Sequence, residues 1–292
     1  MIRRLAILGV GLIGGSLALA LKRTGLVETV VGAGRRRENL DVALKAGVID
    51  AIADSPAQAV QGADVIVLAV PVGSMPGLMD QIAPQLHDRV VLTDVGSTKQ
   101  DVVAAARTLL PAHLSRFVPG HPIAGAETSG VRAAHADLYR GKDVILTPLP
   151  ENDPAAVEQV RAMWAGCGAH VERMSAEDHD RVFAAVSHLP HLAAFALMDE
   201  LAGRENSQQF FRHAGSGFRD FTRIAGSHPE MWRDVALANR EAVVAELDAY
   251  IERLGRIRDL ISAADREALM DVLSRASHAR QQWAQGKTRT GS

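Results

Sequence analysis

The chain has 292 residues, 47% of them hydrophobic and 23% charged, with 32 basic side chains against 34 acidic ones and a formal net charge of -2. That length predicts two domains and a core large enough to fold without cross-links, and the balanced charge excludes a dedicated nucleic-acid binder, which concentrates basic residues. One cysteine, Cys167, excludes a disulfide framework and a thiolate metal cluster and fits a reducing, cytoplasmic setting.

The N-terminus imitates a secretory leader. Arg3 and Arg4 precede an uncharged run over residues 5–21. The run is shorter than the about 20 apolar residues of a membrane span and is interrupted by Gly9, Gly11, Gly14 and Gly15. It reads better as a strand over 4–8, a glycine turn over 9–14 and a helix over 15–22. Further strands are predicted over 27–32, 65–70, 90–94, 117–120, 144–148 and 169–174. Helices are predicted between them over 40–46, 73–86, 98–110 and 154–164. Strands that are apolar throughout and alternate with helices imply a mostly parallel sheet covered on both faces. After Ser175 only helices are expected, over 178–203, 229–254 and 264–283, with a kink at Pro190, which lacks a backbone donor. The predicted domains are residues 1–174 and 175–285, followed by a disordered tail over 286–292. The fold class is α/β: a Rossmann-type doubly wound sheet, then an all-helical domain.

Gly9-Val10-Gly11-Leu12-Ile13-Gly14 fits G-x-G-x-x-G between a strand and a helix, the context that makes this fingerprint a dinucleotide site. The glycines allow a tight turn and close approach of a pyrophosphate to the helix N-terminus. Gly34, Val70 and Pro71, at the ends of neighbouring strands, are assigned to the same cofactor. An NAD site places Asp or Glu after the second strand for the ribose hydroxyl. Here the chain reads Gly34-Arg35-Arg36-Arg37, and no carboxylate comes before Glu38. Guanidinium groups suit a 2′-phosphate, so NADP is favoured over NAD, with Arg35 and Arg36 as its contacts.

Four further segments carry the chemistry: Asp94-Val95-Gly96-Ser97-Thr98-Lys99, Gly120-His121-Pro122-Ile123-Ala124-Gly125-Ala126-Glu127, Ser187-His188-Leu189-Pro190-His191 and Gly217-Phe218-Arg219-Asp220-Phe221-Thr222-Arg223. With the glycine turn, they resemble the prephenate and arogenate dehydrogenases of tyrosine biosynthesis over nearly the whole chain. The resemblance implies an oxidative decarboxylation in which hydride passes to the nicotinamide and loss of carbon dioxide makes the ring aromatic. It implies His121 as acceptor of the ring-hydroxyl proton, a role a neutral imidazole fills near neutral pH. Ser97 would hydrogen-bond the same hydroxyl and orient His121; it could equally cap the helix over 98–110. Arg223 would bind a substrate carboxylate, with Arg219 a weaker candidate. His191 and His188 would lie near the substrate, although His188 could be a core residue, and Glu127 would stand at the pocket mouth. Trp232 would be supplied by a partner subunit.

No metal is expected, since hydride transfer with aromatisation needs none. The expected partners are a small-molecule substrate and a second copy of the chain, joined through the helical domain; neither nucleic acid nor a membrane is expected. A β-hydroxyacid dehydrogenase shares the architecture but relies on a lysine in the helical domain, and residues 175–283 contain none. A non-catalytic NADP(H) sensor would need the glycine turn but not Ser97, His121, His191 and Arg223 together. The length leaves no room for a fused mutase or ligand-sensing domain, so inhibition by tyrosine would be competitive.

Overall fold

The computed structural model describes residues 1–125, 128 and 130–289, with residues 286–289 as backbone only. Strand β1 (Ile2–Leu8) buries Leu5, Ala6, Ile7 and Leu8 consecutively, as a central parallel strand covered on both faces must. Leu5 and Ile7 enter one apolar cluster, while Ala6 and Leu8 enter another on the opposite face. The neighbours of β1 are β2 (Val27–Ala33) and β4 (Val65–Leu68). With β3 (Ala51–Ile52), β5 (Val91–Asp94) and β6 (Phe117–Val118) they form an all-parallel sheet in the order β3-β2-β1-β4-β5-β6. The order reverses between β1 and β4, and doubly wound sheets take their ligands at that switch, beyond the carboxyl ends of the strands.

Five helices alternate with these strands: α1 (Leu12–Arg23), α2 (Arg37–Lys45), α3 (Pro56–Ala59), α4 (Met75–Ile82) and α5 (Gln100–Leu109). The segment predicted as one helix over 73–86 is α4 flanked by single 3-10 turns, with Pro76 near the start of α4 and Pro84 in the turn that follows it. The short β3 and α3 carry too few apolar positions to show a period, and the sequence reading omits them.

The strand predicted over 117–120 belongs to two sheets. The chain leaves β6 at Pro119 and enters β7 (Gly120–Pro122), which pairs antiparallel with β8 (Asp143–Leu146); β8 pairs parallel with β9 (His170–Arg173). His121 therefore sits in a paired strand opposite Ile145 rather than in a loop. Helix α6 (Pro154–Gly166) lies between β8 and β9, and its Trp164 packs edge-on against buried Tyr139. Cys167 is buried, which pushes its thiol up to about 12 and leaves it unreactive.

Beyond Ser175 the described chain is helical. Helix α7 (Ala176–Phe183) runs through a π-helical turn (Ala184–His188) into α8 (Leu189–Ala202). The kink expected at Pro190 takes this form: the wide turn ends two residues earlier, so the missing donor falls in the first turn of α8. Three helices follow, α9 (Ser207–Arg212), α10 (Ser216–Thr222) and α11 (Pro229–Ala238). The helix predicted over 229–254 is broken at Asn239, which is buried and turned into the site described below.

By contacts, Met1–Arg240 forms one compact unit and the chain from Glu241 a second. The helices just after Ser175 thus belong with the sheet, although the change from mixed to all-helical structure falls at Ser175. The second unit consists mainly of α12 (Arg240–Ser262) and α13 (Arg266–Arg289), which expose Ile251, Leu254, Ile261, Met270, Leu273 and Trp283. Helix α13 continues through residues 286–289, where disorder is predicted, because the segment contains no proline and follows a helix already formed; residues 290–292 lie outside the described residues.

Candidate active site

The glycine turn lies at the switch point. Gly9 has φ +107, and a Cβ there would come within 2.3 Å of the Ala69 carbonyl oxygen; a Cβ on Gly14 would come within 2.5 Å of the Gly9 carbonyl oxygen. Both positions require glycine. Gly11 instead faces open space and precedes α1 with no side-chain cap, so the free N–H groups at the start of α1 have room for a pyrophosphate. Leu12 is buried and Ile13 half-buried, with the Ile13 carbonyl accepting the Tyr139 hydroxyl at 2.6 Å. Val70 and Pro71 follow β4 after Ala69, and the Val70 side chain reaches the Gly9 turn. Gly34, Arg35 and Arg36 lie exposed after β2. Arg37 is occupied by Asp41 and Asp54.

On the far side of the switch, Asp94 ends β5. One carboxylate oxygen accepts the Gly120 N–H at 3.1 Å; the other accepts the Gly96 N–H at 2.7 Å and the Lys99 ammonium. Lys99 also donates to the Gly120 carbonyl at 2.8 Å. Both side chains are fully buried. This ion pair therefore clamps both backbone groups of Gly120 and fixes the next residue, His121.

Helix α7 supplies the rest. His121 Nδ1 lies 2.9 Å from His179 Nε2, and His179 Nδ1 lies 2.8 Å from Asp180 Oδ1. Asp180 also accepts the Lys99 N–H at 2.8 Å and the Gln100 N–H at 2.9 Å. Helix α5 thus begins at Gln100 with Asp180 satisfying its first donors, so the capping role considered for Ser97 falls to Asp180. Phe183 packs edge-on against His121 at 5.0 Å. Burial, the facing His179 and the Lys99 charge hold His121 well below the ordinary histidine range, so it is neutral near pH 7. Burial likewise lowers His179, against the opposing pull of Asp180. Burial works against the charge of Asp180, but the His179 contact and the two backbone donors together hold its carboxyl below the usual range.

His188 ends the π-helical turn, 1% exposed, and burial lowers it to about 4. Its Nδ1 lies 3.3 Å from Asn239 Nδ2, which also donates to the Asp180 carbonyl at 2.7 Å. The Ser97 carbonyl bears on the same ring, but no described group reaches hydrogen-bonding geometry on Nε2. His191 donates through Nδ1 to the Ser187 carbonyl, 2.8 Å away, and stacks on Trp232 at 3.7 Å. Trp232, on α11, is 7% exposed and stacks on the His191 of its own chain. The Arg223 charge acts on His191, so the guanidinium is nearby; Arg219 is exposed on the preceding turn.

Ser97, His121, His188, His191, Trp232 and Arg223 are thus linked along one path, while Glu127 lies outside the described residues. Among the described residues, no three His, Cys, Asp or Glu side chains group to hold a metal ion. Sequence reading missed Lys99, His179, Asp180 and Asn239. The His179-Asp180 pair gave no sequence signal, because α7 also carries the exposed Glu177, Asp178 and Arg181 and only burial sets the pair apart. The helical run 176–202 is long and apolar enough to cross a bilayer by length and composition alone. It nevertheless carries His179, Asp180 and His188, whose partners lie in the sheet domain and at Asn239.

A Rossmann sheet with an open glycine turn, facing a half-buried neutral histidine across its switch point, defines a nicotinamide-dependent dehydrogenase. The comparisons narrow the class. Residues 17–173 match the nucleotide-binding domain of prephenate dehydrogenase, and residues 175–275 match its dimerization domain. The chain is 39% identical to the prephenate dehydrogenase of Bacillus subtilis over 93% of its own length and 74% of that protein. It is 35% identical to the cyclohexadienyl dehydrogenase of Zymomonas mobilis over 95% of both. The Aquifex aeolicus prephenate dehydrogenase, solved with hydroxyphenyl propionate and NAD+, superimposes with a TM-score of 0.90 at 36% identity, covering 97% of this chain and 98% of that one. The chain belongs to the prephenate dehydrogenase family.

Proposed function

We propose that this protein catalyses the oxidative decarboxylation of prephenate to 4-hydroxyphenylpyruvate, with arogenate as the alternative substrate and NADP+ as the favoured oxidant. The observation that carries the reading is His121, half-buried, neutral and set at the switch point by the clamp on Gly120, with His179 on its Nδ1.

The open turn at Gly11 and the uncapped start of α1 fit a dinucleotide, which when bound supplies the nicotinamide that accepts hydride. The residues of the chain do the rest. His121 takes the proton of the ring hydroxyl as the hydride departs, and positioned general bases of this kind contribute about 10²–10⁴-fold. Ser97 hydrogen-bonds the same hydroxyl. Arg223 pairs with a substrate carboxylate, and the His191–Trp232 stack forms a wall of the pocket. Loss of carbon dioxide then makes the ring aromatic.

Arg35 and Arg36 support NADP+: they are exposed with no ion pair among the described residues, and β2 ends without a carboxylate. A homodimer is supported by the match to a dimerization domain and by the 176–202 run, of whose most apolar window only 22% is buried in the single chain. We assign residues 175–285 to substrate binding and dimer formation, in a cytoplasmic enzyme.

Initial rates in four combinations test the reading: NAD+ or NADP+, each with prephenate or arogenate. Turnover of prephenate, faster with NADP+, is expected. Four empty cells with NADP(H) still bound would overturn the catalytic reading in favour of a cofactor sensor.

A further inference from the structure

We propose that Asp180 sets the tautomers of two active-site histidines in opposite senses, making His121 Nε2 a bare acceptor and His188 Nε2 an N–H donor. The inference rests on the reading of His121 as the proton acceptor, and the positioning residues it adds are His179, Asp180 and Asn239.

The first arm runs through the Asp180 side chain. An ionised carboxylate only accepts, so the 2.8 Å contact requires hydrogen on His179 Nδ1. A neutral His179 then has a lone pair on Nε2. The 2.9 Å contact requires His121 Nδ1 to donate into that lone pair. A neutral His121 is left with its lone pair on Nε2, and no described group occupies that atom. The reversed chain would need a doubly protonated His179, which its complete burial disfavours. Asp180 is itself fixed, because two backbone N–H groups at the start of α5 hold its two oxygens.

The second arm runs through the Asp180 backbone. Its carbonyl can only accept, so the 2.7 Å contact identifies the Asn239 atom as the amide nitrogen. That NH2 group faces His188 Nδ1 at 3.3 Å and can only donate to it. His188 therefore carries its hydrogen on Nε2. This atom is buried with no hydrogen-bond partner among the described residues, and the Ser97 carbonyl lies toward the ring. An orphaned buried donor is costly unless a ligand or water completes it. With Nδ1 taken by Asn239, the Ser97 carbonyl acts on Nε2, as an acceptor facing that N–H does.

Long-range 1H–15N spectra of the full-length protein with 15N-labelled histidine read the tautomers without turnover. His121→Asn and His188→Gln assign the two rings by loss of their signals. Hydrogen on His121 Nδ1 and on His188 Nε2 is expected. Hydrogen on His121 Nε2, or on His188 Nδ1, would overturn the inference while leaving the reaction class untouched. Asp180→Asn should mix the His121 tautomers and lower kcat on the order of 10²-fold with KM changed less than about threefold. Asn239→Ala, which spares the start of α5, should release the His188 tautomer alone. An unchanged His188 tautomer in that variant would contradict the second arm. Full activity in His121→Asn would instead remove the catalytic reading on which the inference rests.

Discussion

The glycine turn holds its shape through backbone atoms of one βα unit and the neighbouring strand end, whereas the histidine cluster is held by side chains that reach across 51 to 81 positions of chain. In the first region the critical property is the absence of a Cβ, and almost any substitution is too large. In the second it is hydrogen-bond polarity, and a side chain of the right size but the wrong donor pattern is enough to spoil it. One region is sensitive to volume and the other to charge and protons.

Lys99→Met should separate the two most strongly. It preserves length but leaves Asp94 buried without its cation, at a cost of about 3–5 kcal/mol. Urea unfolding would show it, and a loss below about 1 kcal/mol would mean that the pair is dispensable. Gly9→Ala tests the other region. A left-handed backbone and a contact with the Ala69 carbonyl should together cost on the order of 3 kcal/mol and abolish dinucleotide binding. Cofactor titration by fluorescence that found normal affinity would contradict the turn as described.

How much of each region was legible follows from the same contrast. The glycine turn announces itself locally, because its spacing, flanking strand and helix all lie within residues 2–23. His121, Ser97 and Arg223 were assigned through resemblance, and the structure links them with the rest of the cluster. The supporting shell was not legible. No period marks Asp180 as the partner of α5, and no pattern shows that a helix predicted over 229–254 breaks to turn Asn239 inward. The π-helical turn before Pro190 was foreseen only as a kink. The second sheet escaped because its strands are three or four residues long and one begins directly after Pro119.

Two smaller effects sharpen the comparison. His188, at about 4 against an ordinary 6.5, binds its proton less readily in the folded chain than in the unfolded one. Stability present above pH 6.5 is therefore lost as pH falls toward 4, by on the order of 2–3 kcal/mol from this ring alone. Thermal midpoints of wild type and His188→Gln should converge over that window; parallel curves would assign the loss to other groups. In the cofactor region, Arg35→Ala with Arg36→Ala should raise KM for NADP+ about tenfold and leave NAD+ within about twofold. An equal change for both would remove the 2′-phosphate reading.

The most direct measurement is steady-state turnover of prephenate by His121→Asn beside wild type, with cofactor affinity measured on the same samples. The asparagine amide can replace Nδ1–H toward His179 but offers no acceptor where Nε2 stood. The predicted result is a kcat reduced by about 10²–10⁴-fold with unchanged dinucleotide binding. Turnover within a few-fold of wild type would contradict His121 as the proton acceptor.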